Sequence, residues 1–133
     1  MRVFLDTNVI VAAVATRGLC ADVVRDVLAR HDLIVSDDLL GEIERVLRTK
    51  LGVPAEAAAE VVALIGESGT LVRASRAIEV PIPDSMDRIL VTAALEAGAE
   101  LFVTGDRKLL EIARLEALEF VSPRAFWDRI RGA

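Results

Sequence analysis

Four acidic side chains from four separate segments are the residues best suited to chemistry: Asp6, Glu42, Asp87 and Asp106. Each alone has a structural explanation, because Asp is a favoured helix N-cap and an acid in a first turn interacts well with the helix dipole. Brought together, four carboxylates would repel and raise one another's pKa values. A divalent cation relieves that repulsion, and a set of oxygen ligands selects a hard ion, magnesium or manganese.

Short apolar strands alternating with helices are the elements that would have to position these acids. Five apolar runs predict strands, at residues 3–5, 33–35, 70–72, 101–104 and 119–121. Between them, apolar residues recur at helical spacing, with a sixth helix predicted over 108–115 and a loop over 74–83. Strands that are apolar throughout and alternate with helices are typical of a parallel sheet covered on both faces. The sequence therefore predicts a three-layer α/β/α domain with a central parallel sheet of about five strands.

The predicted sheet would gather the acids at one edge, because the carboxyl ends of parallel strands meet there and form ligand crevices. Asp6 directly follows the first strand, and Asp106 follows the fourth after one glycine. Glu42 lies about one turn into the helix after the second strand, and Asp87 lies in the first turn of a helix that begins near Asp84. We therefore expect the four carboxylates to share one pocket.

Length and composition narrow the class of protein. A chain of 133 residues suits a single domain over 1–133, and its 53% apolar residues, before glycine is counted, exceed the ordinary share. We expect that excess to be covered in a homodimer or by a partner. The longest apolar run, residues 9–15, is too short for a membrane span, so a soluble, cytoplasmic protein without membrane contact is expected. The net charge of −5 argues against a broad nucleic-acid surface but allows a local one.

Competing catalytic motifs are missing from the sequence. The single cysteine, Cys20, excludes an intrachain disulfide and a cysteine-rich zinc site. His31 is the only histidine and lies far from the acids that follow the strands. Neither a Gly-x-Ser-x-Gly elbow nor a Walker-type phosphate loop occurs. The acids are therefore the residues on which a functional hypothesis has to rest.

Four segments, in the right order, resemble the PIN-domain family, and within it the toxin components of bacterial toxin–antitoxin systems. These segments are Phe4–Val9, Val35–Ile43, Asp87–Ala94 and Phe102–Asp106. The resemblance implies a metal-dependent ribonuclease in which the four acids are catalytic and bind Mg²⁺ or Mn²⁺. It also implies an antitoxin protein as a partner.

The same resemblance suggests supporting roles for residues beside the acids. Asn8 and Thr104 become candidates for orienting the metal-binding carboxylates through hydrogen bonds. Asp84 lies one helical turn before Asp87, and the sequence that follows favours Asp87 as the ligand, with Asp84 as a helper or N-cap. Relatives often carry a further acid where this chain has Arg88, so one metal or two both stay open.

The chemistry expected is hydrolysis of an RNA phosphodiester by a metal-activated water. Single-stranded or looped RNA would best fit a narrow acidic crevice. Basic residues flank the acidic segments, and each is either a phosphate contact or a solvated helix charge: Arg45, Arg88, Arg107 and Lys108.

Two alternatives remain open from the sequence. One is a catalytically inactive PIN fold that binds nucleic acid or protein. The other is a phosphatase of the haloacid dehalogenase type, which also opens with a strand ending in Asp. That family needs a second acid two residues after the first, where this chain has Asn8. A housekeeping nuclease rather than a toxin also fits the same fold.

Overall fold

The structure, a computed structural model of the chain, describes residues 1–73 and 80–132. Six strands occur within these residues: β1 (Arg2–Leu5), β2 (Asp32–Ser36), β3 (Thr70–Val72), β4 (Leu101–Val103), β5 (Arg114–Leu115) and β6 (Leu118–Val121). The same residues contain seven helices: α1 (Thr7–Ala15), α2 (Leu19–Arg30), α3 (Asp37–Thr49), α4 (Ala55–Ser68), α5 (Ser85–Glu96), α6 (Arg107–Ile112) and α7 (Pro123–Gly132).

The strands form one mostly parallel sheet in the order β3-β2-β1-β4-β6-β5. Phe4 of β1 lies opposite Ile34 of β2 on one side and Phe102 of β4 on the other. Only the short edge strand β5 runs antiparallel, paired with β6. The predicted three-layer α/β fold is confirmed, with one strand more than the sequence indicated.

The central strands are apolar at consecutive positions because helices cover both faces of the sheet. Val3, Phe4 and Leu5 are each 0% exposed, although neighbouring side chains of a strand point to opposite faces. The rings of Phe4 and Phe102 stack at a centroid distance of 5.1 Å, and Phe120 packs against Phe102 at 5.4 Å. This packing anchors β1 beside β4, and both strands end at the acids of interest.

The prediction that the sixth helix continues to Leu115 was wrong. Helix α6 ends at Ile112, and Ala113 adopts a positive φ of 65°, which turns the chain out of the helix. The carbonyl of Ala113 then accepts a hydrogen bond from Phe120 N at 2.9 Å. Residues 114–115 form β5 because pairing with β6 outweighs their helical spacing. Of the predicted loop 74–83, residues 74–79 lie outside the described residues, and 80–83 are not helical.

No single helix in residues 1–73 and 80–132 is both long and apolar enough to cross a membrane. Helices α1 and α2 reach that length and composition only when counted together, and they bend by 110° at the break between them.

Candidate functional site

The sheet order changes direction beside β1. The chain proceeds from β1 to β2 and β3 on one side and then crosses to β4 on the other. Such a reversal leaves a crevice outside the carboxyl ends of the two strands that flank it. Asp6 follows the end of β1 and Asp106 lies three residues beyond the end of β4, so both acids stand at this crevice.

A pocket of about 220 Å³ opens at this edge of the sheet. Its lining contains all four predicted acids and two of the predicted supporting residues: Asp6, Glu42, Asp87, Asp106, Asn8 and Asp84. The remaining lining residues are Thr7, Arg45, Val46, Lys50, Met86 and Leu90. The structure thus brings together acids that are up to 100 positions apart in the chain.

Asp6 is the most buried acid of the pocket, with 6% of its surface exposed. One carboxylate oxygen accepts a hydrogen bond from Thr7 N at 2.8 Å, which caps α1, and the other accepts from Thr104 Oγ1 at 2.7 Å. The pKa of Asp6 is nevertheless raised, chiefly because burial disfavours its charged form. The charges of Asp106 and Glu42 raise it further. Nothing in the described protein therefore compensates the Asp6 charge fully.

Thr104 connects the two acids that follow the strands. Its hydroxyl donates to Asp6 and accepts from Asp106 N at 2.9 Å, and the side chain is fully buried. Asp106 in turn caps α6, with its Oδ1 accepting from Lys108 N at 2.8 Å. No hydrogen bond to its Oδ2 occurs among the described residues. The geometry matches the orienting role expected for Thr104.

Asp84 and Asp87 lie together at the start of α5. Asp84 is the N-cap, and its Oδ1 accepts from Asp87 N at 2.9 Å, so it both caps the helix and lines the pocket. The pKa of Asp87 is raised to about 6, first by burial and then by the charges of Asp84, Asp6 and Asp106. Lys108 acts in the opposite direction. The negative charges of these carboxylates therefore repel one another across the pocket.

Glu42 reaches the pocket from α3, and among the described residues it is the one pocket acid with an ion-pair partner. Arg45, one turn later on the same helix, donates to Glu42 Oε1 from Nε at 3.0 Å and also from Nη2. The Glu42 side chain is 13% exposed, whereas that of Arg45 is 55% exposed. Arg45 thus places a positive charge directly on Glu42.

The donor set fits a hard divalent cation, because carboxylate oxygens dominate the lining and two of the acids have raised pKa values. Within the described residues, no three acidic, histidine or cysteine side chains are arranged to hold an ion as they stand. Hydrogen bonds hold both oxygens of Asp6, and the ion pair with Arg45 holds Glu42, in their present orientations. Metal binding would therefore require side-chain rotation.

The basic residues expected near RNA differ in position. Arg45 lines the pocket, and Lys108 is near enough to lower the pKa of Asp87. Arg88 instead donates from Nη1 to the carbonyls of Ile82 and Pro83, at 2.9 and 2.8 Å, and so holds the loop before α5. Neither Arg88 nor the exposed Arg107 belongs to the lining in the part of the chain described.

Several lining residues were not proposed from the sequence as site residues. Thr7 is 5% exposed and lines the pocket. Its position directly after Asp6 was the feature of the sequence that could have identified it. Met86 and Leu90 share the inner side of α5 with Asp87, which helical spacing of three to four residues implies. They give the pocket an apolar flank.

The family model described as PIN domain matches residues 2–108. Among solved structures, VapBC2 from Rickettsia felis bound to a DNA fragment from its promoter superposes with a TM-score of 0.67 and 14% identity, covering 92% of this chain and 98% of that chain. VapBC-1 from nontypeable Haemophilus influenzae superposes with a TM-score of 0.65 and 21% identity, covering 93% and 99%. No curated protein matches the sequence significantly.

Proposed function

Because this chain belongs to the PIN domain family, we propose that it is a metal-dependent endoribonuclease and the toxin of a toxin–antitoxin pair. One observation carries the proposal. Asp6, Glu42, Asp87 and Asp106 come from four elements and line one pocket at the edge where the strand order reverses. Acids of no functional use would be selected apart, because their mutual repulsion costs free energy of folding.

The cation proposed is Mg²⁺ or Mn²⁺, held by those four acids with Asp84 as a possible helper. When bound, it would supply a water of lowered pKa and offset negative charge developing on the phosphate. The Thr104 hydroxyl would orient the Asp6 carboxylate and hold the backbone of Asp106 beside it.

The substrate proposed is single-stranded or looped RNA. A pocket of about 220 Å³ at the sheet edge admits an extended phosphodiester but not a stacked duplex. Positive side chains at its rim, from Arg45, Lys50 and Lys108, would attract the phosphates against the overall negative charge. Arg107 is exposed beside them and can join the rim.

The partner proposed is an antitoxin protein. The two solved structures compared above are VapBC assemblies. Large apolar side chains of this chain are also exposed at several places: Val14, Leu28, Leu51, Leu64, Leu71 and Ile89. An antitoxin or a second copy of the chain would cover part of that surface. A basic or polar segment of the antitoxin would be complementary to the acidic pocket.

The direct test incubates purified protein with labelled single-stranded RNA in magnesium, manganese or chelator. We expect cleavage by the wild type only with metal, and its loss in Asp6→Asn and Asp106→Asn. Asp128→Asn is the matched control, because Asp128 is an exposed acid on α7 outside the pocket lining. Folded wild type that cleaves no RNA under any metal condition would overturn the assignment.

A catalytically inactive binding module is the second candidate, and one observation favours it. The carboxylates are held by local hydrogen bonds and an ion pair, so no ready-made metal group occurs in the described residues. A module of this kind would bind RNA with equal affinity in chelator and in magnesium and leave it intact. Filter binding beside the cleavage assay separates the two functions.

A further inference from the structure

We propose that Arg45 and the divalent cation compete for Glu42, so that Arg45 acts as a built-in brake on metal loading. The inference rests on the proposed function, because it presumes that the pocket takes a cation. It concerns how readily the site fills, and it assigns Arg45 a positioning role toward Glu42 in addition to the attraction of phosphates proposed above.

The ion pair engages a carboxylate of the pocket that would serve as a metal ligand. Nε and Nη2 of Arg45 both donate to the same oxygen, Oε1. Glu42 is only 13% exposed and lines the acidic pocket, so its charge would otherwise stand uncompensated beside Asp6. Among the pocket acids, Glu42 alone has a cation bound to it within the described residues. Arg45 therefore stands in for a metal at one ligand.

A second ion pair shows what distinguishes this one. Arg25 and Asp22 are also spaced three residues apart on a helix, but their side chains are 74% and 45% exposed and neither lines the pocket. Water screens such a pair, and its contribution is small. The Glu42–Arg45 pair joins a nearly buried carboxylate to a half-exposed guanidinium. Displacing Arg45 would therefore leave the Glu42 charge uncompensated in the pocket.

Arg45 also has somewhere to go when it leaves Glu42. It lines a neighbouring open groove of about 570 Å³ as well as the acidic pocket. Glu44 and Arg48 line the same groove. Once released from Glu42, the Arg45 guanidinium would therefore still share a surface with the Glu44 carboxylate. Because 55% of the Arg45 side chain is exposed, the movement disrupts little packing. The cation can therefore displace Arg45 without unfolding α3.

Titration calorimetry with Mn²⁺ tests the brake directly, without using activity as the readout. We expect Arg45→Ala to bind Mn²⁺ roughly two- to five-fold more tightly than wild type, as for removal of a partly exposed ion pair. Lys50→Ala removes the same charge from the same pocket without breaking the Glu42 pair, so its affinity should rise less. Arg25→Ala, outside the pocket, should leave the affinity unchanged.

A double-mutant cycle separates competition from general electrostatics. In a Glu42→Gln background, Arg45→Ala should no longer tighten Mn²⁺ binding, because the carboxylate for which Arg45 competes is gone. With Glu42 intact, Arg45→Lys should bind Mn²⁺ with an affinity close to that of wild type. Thermal melts in chelator establish that each variant is folded.

The outcomes distinguish failure of this inference from failure of the nuclease proposal. If Arg45→Ala binds Mn²⁺ no more tightly than wild type, or no more tightly than Lys50→Ala, the brake is refuted while metal binding stands. If Arg45→Ala tightens binding equally in the Glu42→Gln background, the effect is general charge and the brake is again refuted. If no folded variant binds Mn²⁺, the inference and the metal-dependent function both fail.

Discussion

Thr104 links the carboxylate of one pocket acid to the backbone of another. Its buried hydroxyl donates to Asp6 and accepts from Asp106 N, so it spans the ends of β1 and β4. Thr104→Val keeps the shape of the side chain but leaves two buried polar groups without a partner, which costs about 1–3 kcal/mol. We expect a lower melting temperature in chelator and roughly ten-fold weaker Mn²⁺ binding. Thr104→Ser should keep a melting temperature and an Mn²⁺ affinity near those of wild type. A Thr104→Val variant that matches wild type in both measurements would contradict the orienting role of Thr104.

Asp6 caps α1 and carries a charge that its two hydrogen bonds within the described residues compensate only in part. Asp6→Asn removes the charge, while the amide oxygen can still accept from Thr7 N. In chelator we expect its free energy of unfolding to equal or exceed that of wild type, because burial and neighbouring acids disfavour the carboxylate. Asp6→Ala loses the cap and should be less stable by about 1 kcal/mol. Chemical denaturation compares them, and an Asn variant as unstable as the Ala variant would show that capping dominates.

Asp87 should make the metal-free protein less stable as the pH rises. Its pKa is raised from 3.8 to about 6, so the folded state holds the proton more tightly than the unfolded chain does. This contribution is fully present below about pH 4 and is lost as the pH rises through 6. We expect denaturation in chelator to show this decline for wild type and a shallower one for Asp87→Asn. Asp128→Asn, on α7 outside the pocket, should follow the wild-type curve. A decline as steep in Asp87→Asn as in wild type would exclude Asp87 as its source.

At the scale of elements, two glycines associated with helices α5 and α3 differ in whether the backbone requires glycine. Gly98 follows α5 with a φ of +70°, and an added Cβ would lie 3.2 Å from Arg2 Nη1. Gly41 lies within α3, where an added Cβ meets nothing within 4 Å. The first glycine is required by its backbone conformation, whereas the second is not.

Substituting each of these glycines gives opposite expectations. Gly98→Ala should lower the free energy of unfolding by about 1–2 kcal/mol, because an L-residue is disfavoured in the left-handed region. Gly41→Ala should raise it by about 0.5–1 kcal/mol, because glycine weakens a helix interior. Urea denaturation measures both. A stabilising alanine at Gly98 would contradict the turn geometry that ends α5.

At the scale of the whole molecule, exposed apolar side chains and the acidic pocket together favour a nuclease that a partner restrains. Expression without an antitoxin should slow bacterial growth, and Asp6→Asn should relieve the effect while the protein remains folded. Growth curves with immunoblots of soluble protein check both points, and Asp128→Asn should remain as harmful as wild type. Growth unaffected by active, soluble wild type would favour a housekeeping nuclease.

The sequence alone determined the strands β1, β2, β4 and β6, because each contains a short, mostly apolar run that is buried against the helices covering the sheet. It also indicated the caps of α1, α5 and α6, since Asp is suited to orphan amides at a helix start. These features depend on interactions between residues close in the chain. The resemblance to the PIN family was equally readable, because its four segments are contiguous.

Only the tertiary structure decided how distant residues meet. The two-residue strand β5 exists because β6 pairs with it, although its own residues continue a helical pattern. Thr104 reaches Asp6 across 98 positions, and Arg88 is drawn to the carbonyls of a loop and away from the pocket. Local propensity carries no information about such contacts, because strand order and side-chain partners depend on the packing of the whole sheet. The pocket exists because the sheet order reverses between β1 and β4, and that reversal is a property of the assembled fold.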